Sequence, residues 1–150
     1  LLNYFLKQNG FDIKNSFYEK NFNRKISRKK ILATFNVFFK NNQIVDLNKN
    51  GLNEIFKFLD EFEKKTRGRG IVIWNGPLGI IEKKESTYGT KALAQYLIRK
   101  KLYKIVGGGD TLAFLNKLKL TSKFNYFSTG GGAMLWFLAH RSLPILELDK

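Results

Sequence analysis

Lys104-Ile105-Val106-Gly107-Gly108-Gly109-Asp110-Thr111-Leu112-Ala113 is the stretch that decides the fold. It predicts a short buried strand, a triple glycine and a helix that begins near the Asp-Thr pair. Glycines let backbone N–H groups approach an anion, and the helix beyond them presents unpaired N–H groups and a positive dipole end. Beside bound phosphates, Asp110 would face a shared Mg²⁺ ion, and Thr111 could cap the helix or donate to a phosphate. The simpler alternative is a tight strand-to-helix turn with Asp110 as N-cap.

Composition bounds the class of protein. The chain has 150 residues, of which 43% are hydrophobic and 15% aromatic, and this predicts one domain with a true core rather than general disorder. No apolar run approaches the roughly 20 residues that cross a bilayer, and residues 1–7 do not resemble a signal peptide. Cysteine is absent, which excludes disulfides and thiolate metal sites. The lack of cysteine allows a reducing compartment without establishing one, and we expect a cytoplasmic protein without membrane contact.

The formal net charge of +15 arises from 27 Lys and Arg residues against 12 Asp and Glu residues. Such a charge would attract nucleic acid, anionic lipid or phosphorylated ligands. The basic residues are spread along the chain, apart from one cluster over residues 24–30. Because the chain is also rich in Asn, Lys, Ile and Phe, we attribute the charge to AT-rich coding bias rather than to a role in binding nucleic acid.

Hydrophobic periodicity predicts strands that alternate with helices. The predicted strands are residues 31–39, with a short extension at 44–47, then 71–74, 103–106 and 124–127. The predicted helices are residues 1–9, 53–65, 88–102, 110–118 and 133–139. Residues 11–30 are expected to form a basic loop, and residues 143–148 an extended tail. This alternation predicts the α/β class, with a three-layer, Rossmann-like parallel sheet that carries helices on both faces.

Three successive predicted strands end in glycine-bearing loops, at residues 75–79, 107–110 and 128–132. The carboxyl ends of parallel strands lie along one edge of a sheet, and ligands bind beyond that edge. The three loops should therefore meet there. This placement predicts a nucleotide site from the residues alone.

Four motifs follow one another along the chain: WNGPLGIIE at 74–82, GTKALA at 89–94, IVGGGDT at 105–111 and STGGGA at 128–133, with Leu143-Pro144 after them. In their order and spacing they resemble the later part of the C-terminal, nucleotide-binding domain of phosphoglycerate kinases. The resemblance is specific from about residue 71 to 146 and is thinner over residues 4–47. It implies that residues 1–150 are this domain without its first strands, and without the N-terminal substrate domain.

The resemblance also implies roles for the motif residues, with ATP or ADP and Mg²⁺ as cofactors. Glu82 would hydrogen-bond the ribose hydroxyls, Asn75 would reach the phosphate chain, and Gly76-Pro77 would form the wall beside the nucleoside. Binding of the phosphates would fall to Gly107, Gly108, Gly109 and Thr111, and binding of the Mg²⁺ to Asp110. The catalytic contribution would come from Gly130, Gly131 and Gly132, whose helix would direct N–H groups at the transferring phosphoryl.

The family transfers a phosphoryl group reversibly between 1,3-bisphosphoglycerate and ADP in glycolysis and gluconeogenesis, usually as a monomer. The residues that would bind 3-phosphoglycerate belong to the absent N-terminal domain, and the lysine-bearing GGAK-type segment is also absent. The chain departs from the family pattern at Ile81, Met134, Trp136 and Ile145. We therefore expect the fragment to bind Mg-nucleotide weakly and to be inactive alone. A sheet without its leading strands would expose an apolar edge.

A second hypothesis is a non-catalytic, basic α/β module that binds nucleotide or nucleic acid. The joint occurrence of Glu82, Asp110 and the triple glycines favours the kinase half-site, because nucleic-acid binding requires none of them. Simpler interpretations remain open for single residues. Trp74 is expected to pack in the core, His140 to be a solvated residue at a helix end, and Glu82 could be an ordinary surface carboxylate.

Overall fold

A computed structural model describes residues 32, 34, 36–41 and 43–147. The predicted helix over residues 1–9 and the predicted basic loop over 11–30 lie outside these residues. The chain divides into two compact units, Leu1–Leu59 with Leu78–Leu93 and Asp60–Pro77 with Ala94–Lys150. Each unit is described by itself below.

The first unit contains an antiparallel hairpin. Strand β1 (Val37–Lys40) pairs with β2 (Gln43–Leu47) through a turn in which Asn41 has a φ of 52°. Phe38 and Phe39 are 53% and 42% exposed, so the predicted burial of both faces of the first strand is wrong over these residues. Aromatic content indicates a strand but does not show which of its faces is covered. The predicted short extension at 44–47 is a full strand, β2.

Helix α1 (Lys49–Thr66) begins four residues before the predicted start at 53. Asn48 caps it, because its Oδ1 accepts hydrogen bonds from the N–H groups of Asn50 (2.9 Å) and Gly51 (3.1 Å). The Asn-Lys-Asn-Gly sequence has the composition of a turn, which concealed this first helical turn. Lys64 and Lys65 lie in the last turn, where they complement the helix dipole as predicted.

The second unit contains a parallel sheet of strands β3 (Ile71–Asn75), β4 (Tyr103–Gly107) and β5 (Tyr126–Ser128), in the order β3-β4-β5. In chain order, helix α2 (Tyr88–Leu97) precedes β4, α3 (Gly109–Lys117) follows β4, and α4 (Gly131–His140) follows β5. Both α3 and α4 contact β4. The predicted α/β class, with a parallel sheet flanked by helices, is confirmed.

The two faces of this sheet differ in burial. Trp74, Lys104 and Val106 share the face that is covered, with exposed fractions of 6%, 9% and 1%, so the placement of Trp74 in the core is confirmed. The opposite face carries side chains that are 41–58% exposed, namely Ile71, Ile73, Tyr103 and Tyr126. An apolar sequence predicted burial for β3 as a whole, but period-2 alternation puts two of its isoleucines on the open face.

The ends of the chain's last elements also differ from expectation. Phe124, predicted to open the last strand, lies before β5 and is buried, with its ring centroid 6.2 Å from that of Trp74. The predicted extended tail is wrong over Pro144–Glu147, which form a 3₁₀ helix. Two further 3₁₀ turns are Lys84–Ser86 and Thr121–Lys123.

Within the described residues, none of the helices combines the length and the apolar character required to cross a membrane.

Candidate functional site

The three predicted loops meet at one edge of the sheet in the second unit. Asn75 pairs in register with Gly107, which pairs with Ser128, so the three strands end at one level. Within this unit, the loop after β3, the loop after β4 and the loop after β5 therefore begin side by side. This confirms the prediction made from the alternation of strands and helices.

Helix α3 begins in the first of the glycine motifs. Gly108 is its N-cap, with a φ of 95° that only glycine adopts readily. The Gly108 N–H donates to the Ser128 carbonyl (3.0 Å), and the Gly108 carbonyl accepts from the Leu112 N–H (3.1 Å). The alternative in which Asp110 caps the helix is therefore wrong: Asp110 lies in the first turn, and it is exposed.

Helix α4 begins beside the start of α3. Gly130 is its N-cap, and the Gly130 carbonyl accepts from the Met134 N–H (2.9 Å). A Cβ on Gly131 would come within 2.7 Å of the Gly108 nitrogen and 2.9 Å of its Cα, so the two glycine motifs are in contact. Two helices of nine and ten residues thus bring their N-termini together. Each N-terminus carries unpaired N–H groups and about half a positive charge, which makes the pair a strong anion-binding geometry.

The Asn75 side chain lies against both glycine motifs. A Cβ on Gly107 would come within 2.6 Å of Asn75 Oδ1, and a Cβ on Gly131 would overlap the same oxygen. The turn after Asn75 is fixed, because Trp74 Nε1 donates to the Gly76 carbonyl (2.7 Å) and Gly76 has a φ of 91°. Asn75 is therefore held at the centre of the meeting loops.

Other glycines of these motifs have open surroundings. No heavy atom would lie within 4 Å of a Cβ on Gly109, Gly132 or Gly76. At Gly109 and Gly132, neither the packing nor a positive φ requires a glycine. The open space beside both helix N-termini is suited to close approach by a ligand.

Thr111 is fully buried, and its Oγ1 has no hydrogen-bond partner within the described part of the chain. This oxygen lies 3.9 Å from the position that a Cβ on Gly108 would take, directly behind the loop. A buried hydroxyl without a partner costs free energy. Asp110, the preceding residue, carries an exposed carboxylate. Hydroxyl and carboxylate oxygens are both donors of the kind that Mg²⁺ and phosphate-bound Mg²⁺ prefer.

These donors fit an ion that is shared with a ligand rather than one held by the protein alone. Among the described residues, no cluster of three or more His, Asp or Glu side chains could hold a metal ion. Mg²⁺ commonly binds through one or two carboxylates together with substrate phosphates. Asp110 can supply such a carboxylate.

Glu82 belongs to the first unit, where it is exposed in the turn before the 3₁₀ helix Lys84–Ser86. Two hydrogen bonds donated by backbone N–H groups anchor the chain leading to it. The Leu78 N–H donates to Thr90 Oγ1 (3.0 Å), and the Ile80 N–H donates to the Val45 carbonyl (3.0 Å). Its carboxylate is therefore solvent-accessible on a fixed segment.

Asp46, in strand β2, is a buried residue that sequence reasoning missed. It is 2% exposed and accepts hydrogen bonds from the N–H groups of Leu47 (2.8 Å) and Gly89 (2.9 Å), the latter at the start of α2. Burial raises the pKa of Asp46, against the lowering effect of these bonds. A lone acidic residue in the apolar run 44–47 was the only signal in the sequence.

Two of the lysine side chains make ion pairs or hydrogen bonds within the fold. Lys100 pairs with Asp60 and with Glu63 (3.1 Å), and the hydrogen bond from Lys100 lowers the pKa of Asp60. Lys104 donates to the carbonyls of Lys100 (2.9 Å) and Leu102 (3.0 Å). These lysines lie around the amino end of β4, away from the glycine loops at its carboxyl end.

His140 lies at the opposite end of α4 from Gly131. Its ring is stacked on that of Trp136, with centroids 4.1 Å apart, and its Nδ1 is 3.0 Å from the Trp136 carbonyl. The side chain is exposed. The structure thus places His140 at a solvated helix end, as expected.

The comparisons with known proteins agree on one family. The family model described as Phosphoglycerate kinase matches residues 1–141. A curated phosphoglycerate kinase from Coxiella burnetii (strain RSA 493 / Nine Mile phase I) is 48% identical over 79 residues, which are 53% of this chain and 20% of the relative. The solved structure of phosphoglycerate kinase from Coxiella burnetii is similar with a TM-score of 0.57 and 40% identity, over 70% of this chain and 25% of that chain.

This chain therefore spans about a fifth to a quarter of the length of the relatives it matches. Because the family model matches residues 1–141 of the 150, the chain belongs to the phosphoglycerate kinase family.

Proposed function

We propose that the second unit binds the polyphosphate of ATP or ADP together with Mg²⁺, as part of the nucleotide half-site of a cytoplasmic, glycolytic phosphoglycerate kinase. One observation carries the proposal: two glycine-capped helix N-termini meet at one sheet edge, and the buried Thr111 hydroxyl in the first turn of α3 has no partner among the described residues. A tight turn alone requires neither the second helix nor the unpaired hydroxyl. The motif resemblance and family membership support the same conclusion.

The phosphates would bind at the starts of α3 and α4. Unpaired N–H groups and two dipole ends favour negative charge there. Gly109 and Gly132 leave space for phosphate oxygens, since a Cβ at either position would meet nothing within 4 Å. The Thr111 hydroxyl would gain the partner that it lacks in the described structure.

Asp110 would hold the Mg²⁺ that the phosphates share. When bound, this ion neutralises the negative charge that gathers between the phosphates. Without it, the exposed Asp110 carboxylate would repel a polyphosphate. By the motif resemblance alone, the ribose hydroxyls are assigned to Glu82, an exposed carboxylate, and the wall beside the nucleoside to Gly76-Pro77.

The proposed reaction is the reversible phosphoryl transfer of the family. In the direction of ATP synthesis, a β-phosphate oxygen of ADP attacks the acyl phosphate of 1,3-bisphosphoglycerate, and the carboxylate leaves with the electron pair of the broken P–O bond. Such transfers depend on positioning and charge stabilisation rather than on a protein base. The N–H groups at Gly130, Gly131 and Gly132 would stabilise the transferring group.

We assign the phosphoglycerate side to the part of the family's length that this chain does not span. The isolated 150-residue chain is therefore expected to bind Mg-ADP without turning over substrate. ATP consumption by the chain alone in the presence of 3-phosphoglycerate would contradict this expectation.

Calorimetric titration with Mg-ADP tests the binding site. Asp110→Asn should weaken binding by about tenfold, because a charge-assisted contact to the ion is lost, while Glu61→Gln, a matched change at an exposed carboxylate of α1, should not. Equal affinities for all three proteins would contradict the proposal. Salt-dependent binding of an oligonucleotide, unaffected by Asp110→Asn, would instead support a nucleic-acid module.

A further inference from the structure

Asn75 connects the two glycine motifs, and its contacts indicate a role other than binding phosphate directly. We propose that Asn75 is a positioning residue: its side-chain amide sets the separation between the first turns of α3 and α4. The consequence for nucleotide binding rests on the proposed function above. The geometry itself is that of the protein without ligand, and it can be tested in that state.

The backbone of Asn75 is held in place by its neighbours. The residue ends β3 in register with Gly107 of β4. The preceding side chain, Trp74, is only 6% exposed, and its Nε1 donates to the Gly76 carbonyl across Asn75 (2.7 Å). Sheet pairing on one side and this bond on the other fix the backbone position from which the Asn75 side chain extends.

The amide occupies the volume that side chains at two glycine positions would take. A Cβ on Gly107 would lie 2.6 Å from Asn75 Oδ1, a Cβ on Gly131 would overlap that oxygen, and a Cβ on Gly108 would lie 3.7 Å from it. Asn75 thus stands between the end of β4, the N-cap of α3 and the first residue of α4.

The glycines of the two motifs consequently fall into two groups. Gly107 and Gly131 make room for Asn75, whereas Gly109 and Gly132 contact nothing within 4 Å of a Cβ position. The first group is explained by the fold without ligand. The second group leaves the space into which phosphate would enter.

The chemistry of an amide suits this position. Two positive helix ends meet here, and a carboxylate between them would itself satisfy them and repel an arriving phosphate. A neutral amide fills the space without adding charge. Asn75 is exposed as a whole residue, and the contact with the glycine motifs is made by its amide oxygen. Alanine would remove this contact, so that the two loops could move closer together.

Hydrogen exchange of the full chain without ligand tests whether Asn75 positions the first turns of α3 and α4. Three amides report on the loops: Gly108, bonded to the Ser128 carbonyl, and Leu112 and Met134, bonded to the two N-cap carbonyls. In Asn75→Ala these amides should exchange about tenfold faster. The conservative Asn75→Asp, which has nearly the same shape, should restore the protection, and Asn116→Ala, on the exposed surface of α3, should leave it unchanged. Unaltered protection in Asn75→Ala would overturn the proposal.

A double-mutant cycle tests the contact directly. Gly107→Ala should destabilise the wild-type chain and be tolerated in the Asn75→Ala background, because the other close atom is the flexible end of Met134. Gly131→Ala should remain destabilising in both, because its Cβ would also meet the Gly108 backbone. If Gly107→Ala lowers the free energy of unfolding equally in both backgrounds, the positioning role of Asn75 is contradicted.

Titration with Mg-ADP separates this proposal from the function on which it rests. Asn75→Ala should lose about tenfold in affinity together with exchange protection, whereas Asn75→Asp should lose affinity with protection intact. A loss of affinity in Asn75→Ala without any change in exchange would make Asn75 a direct ligand contact and overturn the positioning role. If the wild-type chain binds no Mg-ADP while the exchange and cycle results hold, the positioning geometry stands and the proposed nucleotide function fails.

Discussion

At the scale of single residues, Thr111 and Asp46 show two different uses of a buried polar group. Thr111 is completely buried with its hydroxyl unpaired in the described structure, whereas the buried Asp46 accepts two hydrogen bonds from backbone N–H groups. An unsatisfied buried group lowers stability, and a satisfied one supports the segment that it bonds. The first is a candidate for ligand contact, and the second is a structural anchor.

Replacing Thr111 by Val should therefore affect stability and binding in opposite directions. Val is close in shape and removes the buried, unpaired hydroxyl, so the free energy of unfolding without ligand should rise by about 1 kcal/mol. Affinity for Mg-ADP should fall, because the partner proposed for a phosphate is gone. Urea denaturation and calorimetric titration measure the two effects. A destabilised variant with unchanged affinity would show that the hydroxyl serves the fold instead.

Asp46 should make stability depend on pH. Burial raises its pKa above the ordinary value of 3.8, so the folded chain keeps this proton to higher pH than the unfolded chain does. The folded state then binds more protons between the two pKa values, and the contribution of Asp46 to the free energy of unfolding falls as pH rises through that window.

Urea denaturation from about pH 4 to pH 7 tests this sign in the wild type and in Asp46→Asn, which cannot titrate there. The stability of the wild type relative to the variant should decline as pH rises. Asp60 and Glu63 titrate in both proteins, so their effects cancel in the difference. A relative stability that increases with pH would contradict the expected direction.

At the scale of elements, α1 shows how a local motif extends a helix beyond its periodic pattern. Apolar spacing predicted a start at 53, but Asn48 caps a helix that begins at Lys49 and includes Gly51. A Cβ on Gly51 would overlap the Asn36 carbonyl oxygen. Glycine is therefore required at this position by close contact with the backbone of Asn36, and not by a turn. The N-cap thus determines where α1 begins.

Removal of this cap should destabilise the chain measurably. Asn48→Ala is expected to lower the free energy of unfolding by about 1 kcal/mol, because two helix N–H groups lose their acceptor. Asn48→Asp should retain the cap, with an added benefit from the helix dipole. The matched control, Asn53→Ala at an exposed position inside α1, should not destabilise the helix. Circular dichroism during urea unfolding compares the three, and equal losses at 48 and 53 would contradict the capping role.

At the scale of the whole molecule, the chain has a net charge of +15, and its described residues expose apolar surface. One face of the parallel sheet exposes Ile71, Ile73, Tyr103 and Tyr126 by 41–58%. A cavity of about 410 Å³ lies on that side of the sheet against α4, lined in part by Ile105, Met134 and Phe137. Contiguous apolar surface of this kind promotes association.

A charge placed on this surface should reduce self-association of the isolated chain. Ile71→Lys, at a residue that is 58% exposed, should change the free energy of unfolding by less than about 0.5 kcal/mol while lowering the oligomer fraction in sedimentation experiments. Asn116→Lys adds the same charge on the exposed surface of α3 and should leave the oligomer fraction unchanged. If both variants dissociate equally, net charge rather than the apolar face controls association.

The sequence by itself determined the α/β alternation, the three loops at one sheet edge and the family. Each follows from periodicity, glycine placement and motif spacing, which act between near neighbours in the chain or along one strand. The roles predicted for Glu82, Asp110 and Gly130–Gly132 stay predictions. Only the tertiary structure decided that Gly108 caps α3, that Gly131 leaves room for Asn75, that Asp46 is buried and that three of the five residues of β3 are exposed. These depend on atoms brought together from distant parts of the sequence, and no local pattern encodes which groups will meet or which faces will be covered.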